Sequence, residues 1–227
     1  MAVNSGKKAR KQQQESRGFA TTLKEYHPLN TIQQLYLESI QDNTITFGTG
    51  PAGTGKTFIA ASYAAKQLFY KNIDKVILTR PNVEVGRGLG FLPGELEEKY
   101  LPYLAPFESV FIKCLGKGFY DYALEKRIIE PMPVGFLRGA TFENAIVLID
   151  EAQNLTKTEL KMLLSRIGRN CKVVLSGDPE QADIKDSGLV DAMERLGKIH
   201  GVGVIPFENG DIVRSKMCKE IILAYKN

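Results

Sequence analysis

The sequence offers little sulfur and little histidine. Its three cysteines, Cys114, Cys171 and Cys218, form no CxxC pair, and its two histidines, His27 and His200, stand far apart. No familiar zinc spacing can be built from them. Reduced thiols, no structural metal and a cytoplasmic setting are therefore expected. Long hydrophobic runs are also missing. The apolar stretches are short, such as residues 146–149, against the ~20 apolar residues of a membrane-spanning helix. The amino terminus is polar and carries no signal-peptide pattern. These absences argue against a membrane protein and against secretion.

What is present is an ordinary globular composition, 43% hydrophobic and 25% charged over 227 residues. The charge is unevenly placed. Within residues 1–17, Lys7, Lys8, Arg10, Lys11 and Arg17 face only Glu15, which accounts for the whole net charge of +4. Residues 1–22 are rich in Lys, Gln and Ser and read as a disordered basic tail. Such a tail is either simply solvated or holds nucleic acid through phosphate contacts. The globular domain is expected over residues 23–227.

Strand-like runs recur at 45–47, 75–79, 145–149, 172–176 and 203–206, with helical patterns at 56–70, 156–167 and 187–196. Strands alternating with helices predict βαβ units, hence a three-layer α/β fold with a mostly parallel sheet. The run 146–149, Ile-Val-Leu-Ile, lacks alternation, as a strand buried on both faces should. Residues 93–133 carry five prolines and helical patches at 95–100 and 120–127, and read as a helical insertion beside the sheet.

Residues 48–57 read GTGPAGTGKT, and Gly50 to Thr57 satisfy GxxxxGK[ST] between a strand and a helix. Gly50, Gly53 and Gly55 let the backbone curl, so that the loop, completed by Pro51, Ala52 and Thr54, turns its successive N–H groups (all but that of Pro51, which has none) toward phosphate oxygens. The helix that follows adds its positive end. Lys56 then reaches the β- and γ-phosphates, and the Thr57 hydroxyl ligates magnesium. Residues 146–151, IVLIDE, end a buried strand in two carboxylates. Asp150 suits magnesium and Glu151 suits a base that polarises water. The plainer alternative is a helix-capping pair. A third strand ends in SGDPEQ at 176–181, where Gln181 suits the γ-phosphate or the attacking water; Asp178-Pro179 also reads as a turn. Together these motifs point to a nucleoside triphosphatase using Mg2+.

The loop GPAGTGKT, LTRP at 78–81, GFLPGELEEK at 90–99, IDEAQN at 149–154, SRIG at 165–168 and SGDPEQ together resemble the PhoH-like family over residues 28–225. That family is similar to the first, RecA-like motor lobe of superfamily 1 helicases. Its members are ATPases, some linked to RNA helicase or RNA-degrading activity, and many small versions are phage-encoded, for which the cytoplasm would be the host's. The resemblance implies that Gln33 reads adenine; the alternative is a solvated helix face. It implies that Thr79 and Arg80 contact nucleic-acid backbone, unless Arg80 pairs with a carboxylate. It places Arg138 and Gly139 in an RG motif, whose usual second basic residue is replaced here by Ala140. Arg166, Arg169 and Arg214 are further candidates for charge stabilisation, with Arg214 favoured.

The expected function is ATP hydrolysis by a helicase-like motor domain acting on RNA or single-stranded DNA. About 170 residues follow the phosphate loop with a single set of motifs, so a second motor lobe is not expected. A second surface then comes from another subunit, in a homo-oligomer such as a hexameric ring with head-to-tail contacts. The alternative is a nucleotide-dependent assembly module with slow turnover. A phosphoryl transferase fits less well, because the DE pair and GDxxQ favour water as acceptor.

Overall fold

The computed structural model describes residues 22–81 and 100–214, with Met217, Glu220, Ile221 and Ala224 of a last helical segment. Residues 1–21 of the expected tail, the GFLPGELEEK motif and all but Tyr100 of the helical patch at 95–100 lie outside the described residues.

Among the described residues six strands form one sheet: β1 (Ile45–Thr49), β2 (Lys75–Thr79), β3 (Ile129–Pro131), β4 (Ala145–Ile149), β5 (Cys171–Gly177) and β6 (Val202–Pro206). Their order is β3-β2-β4-β5-β1-β6, and every pairing is parallel. All five residues of β4 are buried. Because a strand alternates its side chains, Ile146 and Leu148 enter one core while Val147 and Ile149 enter the other. The first core is closed by α1 (Thr31–Asp42), α2 (Lys56–Phe69), α3 (Ala105–Leu115) and α4 (Lys117–Glu125). The second is closed by α5 (Lys157–Leu164) and α6 (Leu189–Leu196). This is the expected three-layer α/β architecture, a RecA-like phosphate-loop domain. No helix among the described residues is long and apolar enough to cross a membrane.

The insertion at 93–133 is corrected in part. Its end, β3, is not helical but adds an edge strand beside β2. Its middle holds an unbroken helix, α3, begun by Pro106 in the first turn and ended by Gly116 at φ 83°. Phe107, Val110, Phe111 and Cys114 of α3 fall on one buried face. Helix α5 starts where the sequence predicts, because Thr156 and Glu159 form a reciprocal capping box. It ends at Leu164, short of the expected 167.

One glycine brings α1 close to the sheet. A Cβ on Gly48 of β1 would lie 2.6 Å from the ring of Tyr36. That ring is fully buried and its hydroxyl lies 3.3 Å from Ser176 Oγ. Gly48→Ala is therefore expected to overpack this contact and cost about 1–3 kcal/mol in denaturant unfolding. An unchanged midpoint would show that α1 can move away freely.

Candidate active site

Parallel register sets the site. Thr49 pairs with Gly177 and Ile149 with Leu175, so β1, β4 and β5 end at one carboxyl edge, side by side. That edge is where open α/β sheets receive ligands. The Gly50 N–H donates to Gly177 O at 3.0 Å and the Asp150 N–H to Thr79 O at 3.0 Å. The residues that leave these strands thus start from fixed positions.

The loop after β1 curls as its glycines require. Gly50 has φ 124°, and a Cβ there would run into the Phe207 carbonyl oxygen. A Cβ on Gly53 would meet Arg214 Cδ at 2.9 Å. Lys56 turns back into this curl: its Nζ donates to Gly50 O at 2.6 Å, Pro51 O at 2.8 Å and Thr54 Oγ1 at 3.2 Å. Burial pushes the Lys56 pKa down, against the pull of Asp178, Asp150 and Glu151.

The Thr57 hydroxyl donates to Asp150 Oδ1 at 3.0 Å, bridging the loop and the end of β4. Hydroxyl and carboxylate are hard oxygen donors, a set that suits Mg2+. Glu151 sits beside them with φ 51°, a left-handed conformation that costs a non-glycine residue about 1–2 kcal/mol. It caps nothing with its side chain, so the capping alternative fails for it. Instead both its oxygens are engaged. Arg80 donates to Oε1 at 3.1 Å and Gln153 to Oε2 at 2.6 Å. The cleft holding these groups measures about 750 Å³.

A family model described as PhoH-like protein matches residues 25–226. The chain belongs to the PhoH-like family. It is 41% identical over 219 residues to Protein PhoH of Escherichia coli (strain K12), covering 93% of this chain and 62% of that protein. It is 42% identical over 196 residues to the PhoH-like protein of Bacillus subtilis (strain 168), covering 85% and 61%. The chain thus spans about three fifths of the length of these curated relatives. Among solved structures, the large terminase of a thermophilic bacteriophage superposes with TM-score 0.51 at 10% identity, over 86% of this chain and 50% of that one. That likeness concerns the fold, an α/β domain that here carries a phosphate loop.

In this PhoH-like chain Gln33 is not on a solvated helix face. It is 2% exposed, its Nε2 donates to Thr54 O at 2.8 Å, and its Oε1 accepts from the Leu29 N–H at 2.8 Å. Gln34, next to it, is exposed. Gln181 lines the cleft and donates to Asp178 Oδ2 at 2.6 Å. Arg214 lies over Gly53, anchored by the Val213 N–H to Gly53 O at 3.0 Å. Of the two readings of Arg80, the carboxylate pair is the one formed, with Glu151. Arg166 and Arg169 sit with Phe142 and Asn144 before β4, at the opposite edge of the sheet, and do not join the cleft of their own chain. The residue missed by sequence reasoning is Gln153. It is 1% exposed and touches both the Glu151 side chain and the loop after β5. Its place inside IDEAQN was the available signal.

Burial, then the neighbouring Glu151 carboxylate, raises the Asp150 pKa; Arg80 and Thr57 offset this only in part. The ionised form therefore costs more in the fold than in the unfolded chain. Stability is lost as pH rises from the ordinary carboxylate range through the folded pKa. At neutral pH, with no cation, the charge is a net burden. Asp150→Asn keeps an acceptor for Thr57, so it is expected to raise the metal-free melting temperature by a few degrees. It is also expected to remove the further rise that Mg2+ with nucleotide gives the wild type. A lower melting temperature in the metal-free variant would contradict this.

Proposed function

We propose that this chain binds ATP with Mg2+ in the cleft and hydrolyses it to ADP and phosphate. We further propose that it does so as a motor-type domain acting on RNA or single-stranded DNA in a homo-oligomer, a hexameric ring. The observation that carries the hydrolytic reading is the 3.0 Å bond from Thr57 to Asp150, with Lys56 in the loop on one side and Glu151 on the other.

On this reading Lys56 exchanges its bonds to the Gly50 and Pro51 carbonyls for β- and γ-phosphate oxygens. Thr57 and Asp150 would hold the metal, which when bound neutralises charge on the β- and γ-phosphates. Glu151 orients a water in line with the γ-phosphorus. The water oxygen forms a bond to phosphorus, its proton passes to Glu151, and the bond to the β-phosphate oxygen breaks. ADP leaves with that electron pair. Gln181 contacts the γ-phosphate or the water, and Arg214 stabilises charge from above Gly53. Gln33 has one amide hydrogen and one lone pair left for adenine beyond its backbone bonds.

The nucleic-acid part rests on family membership and on the basic residues of 1–17. Its test is steady-state ATP hydrolysis at fixed low salt, without and with single-stranded RNA or DNA. A rate raised several-fold by one of them supports the motor reading and names its substrate. A rate indifferent to both leaves the hydrolase standing and moves the partner to protein. Light scattering with an ATP analogue tests the ring; monomer in every condition would remove it.

A further inference from the structure

Two loops meet beside Glu151, and the side chains that join them come from adjacent residues. Gln153 Nε2 donates to Glu151 Oε2 at 2.6 Å, and its Oε1 accepts from the Asp178 N–H at 3.1 Å. Asn154 completes the join: its Nδ2 donates to Asp183 Oδ2 at 2.9 Å, and its Oδ1 accepts from the Asp183 N–H at 2.8 Å. The turn after β4 and the loop after β5 are thus tied at both ends of residues 178–183. Space between them is limited, since a Cβ on Gly177 would lie 2.7 Å from Gln153 Oε1. Gln181 belongs to the same loop and bonds Asp178 at 2.6 Å.

The Gln153 amide is buried, and its orientation is set by chemistry at both ends. A carboxylate needs a donor and a backbone N–H needs an acceptor, so the amide cannot flip without losing both bonds. Glu151 holds a left-handed backbone, and an unrestrained side chain there would sample several rotamers. A fixed donor at 2.6 Å removes that freedom at one oxygen.

We propose that Gln153 is the positioning residue that aims Glu151 and couples its aim to the loop 178–183, a role that rests on the hydrolytic reading above. Movement of that loop, on which Gln181 faces the cleft, shifts the amide and with it the base. Gln153 itself does not line the cleft.

The test compares Gln153→Met and Gln153→Glu with wild type and Glu151→Gln, in the full chain. Nucleotide affinity and melting temperature are measured beside kcat and KM. Met removes both bonds at similar volume. Glu keeps an acceptor for the Asp178 N–H and sets a second carboxylate against Glu151, replacing the donor by repulsion. Both variants are expected to lose kcat by roughly tenfold to a hundredfold, the scale on which groups behind a reacting side chain act, with KM and nucleotide affinity within about twofold. In a Glu151→Gln background, adding Gln153→Met should change kcat little, because the two residues act as one unit. Wild-type kcat in Gln153→Glu, or full additivity in the double variant, would overturn the proposal while leaving the hydrolase intact. If Gln153→Met fails to fold, Gln153→Glu alone decides. No Glu151-dependent hydrolysis by the wild type would overturn the hydrolytic reading, and this role with it.

Discussion

Replacing Glu151 by Gln is expected to lower ATP hydrolysis about 10²–10⁴-fold, the usual contribution of a general base, while ATP still binds with near wild-type affinity. Gln preserves length and shape but cannot accept a proton from the attacking water. Its side chain also presents one acceptor where Glu151 presents two, so either Arg80 or Gln153 loses its partner. Neither lies among the groups placed to hold phosphate, which is why affinity should be spared. The measurement is single-turnover phosphate release alongside equilibrium binding of a fluorescent ATP analogue. A variant that binds normally and hydrolyses like wild type would remove Glu151 from the chemistry. A variant that cannot bind would make its role structural.

Lys56→Ala should act in the opposite way, on binding first. The ammonium satisfies the Gly50 and Pro51 carbonyls, and on the proposed reading it trades them for phosphate oxygens. Removing it deletes charge-assisted bonds worth about 1.5–3 kcal/mol each and leaves two carbonyl oxygens near the anion. ATP affinity should fall at least roughly a hundredfold, at about 1.4 kcal/mol per factor of ten. Titration calorimetry measures this directly. Affinity unchanged within twofold would mean that phosphate does not enter this loop.

Much of this arrangement was legible in the sequence, for physical reasons that differ by residue. The phosphate loop was readable because a curl of inward N–H groups demands glycine at set positions, and Gly50, Gly53 and Gly55 supply it. Asp150 and Glu151 were readable because carboxylates at the end of an apolar strand have few structural uses. Strand β4 was readable because burial on both faces removes alternation. What was illegible depends on contacts distant in sequence. The three-residue strand β3 carries almost no periodic signal and exists through its pairing with β2. The sequence leaves Gln33 open between adenine and a solvated helix face; its burial comes from the phosphate loop, where it bonds Thr54 O and where a Cβ on Gly55 would lie 2.6 Å from its Nε2. Gln153 had no visible role because its partners, Glu151 and Asp178, leave different strands. For Arg80 the sequence left nucleic-acid backbone and a carboxylate open, and the pairing with Glu151 becomes visible only through the side-by-side placement of β2 and β4.

The central claim is that one cleft brings phosphates to Lys56, a metal to Thr57 and Asp150, and water to Glu151. The most direct measurement is a crystal structure with Mg2+, ADP and aluminium fluoride as a mimic of the transferring phosphoryl group. Lys56 Nζ is expected to leave the Gly50 and Pro51 carbonyls for the phosphates and the mimic. The metal is expected beside Thr57 and Asp150, with a water between Glu151 and the aluminium. Nucleotide bound elsewhere, or Lys56 still on its carbonyls with the phosphates in place, would contradict the claim.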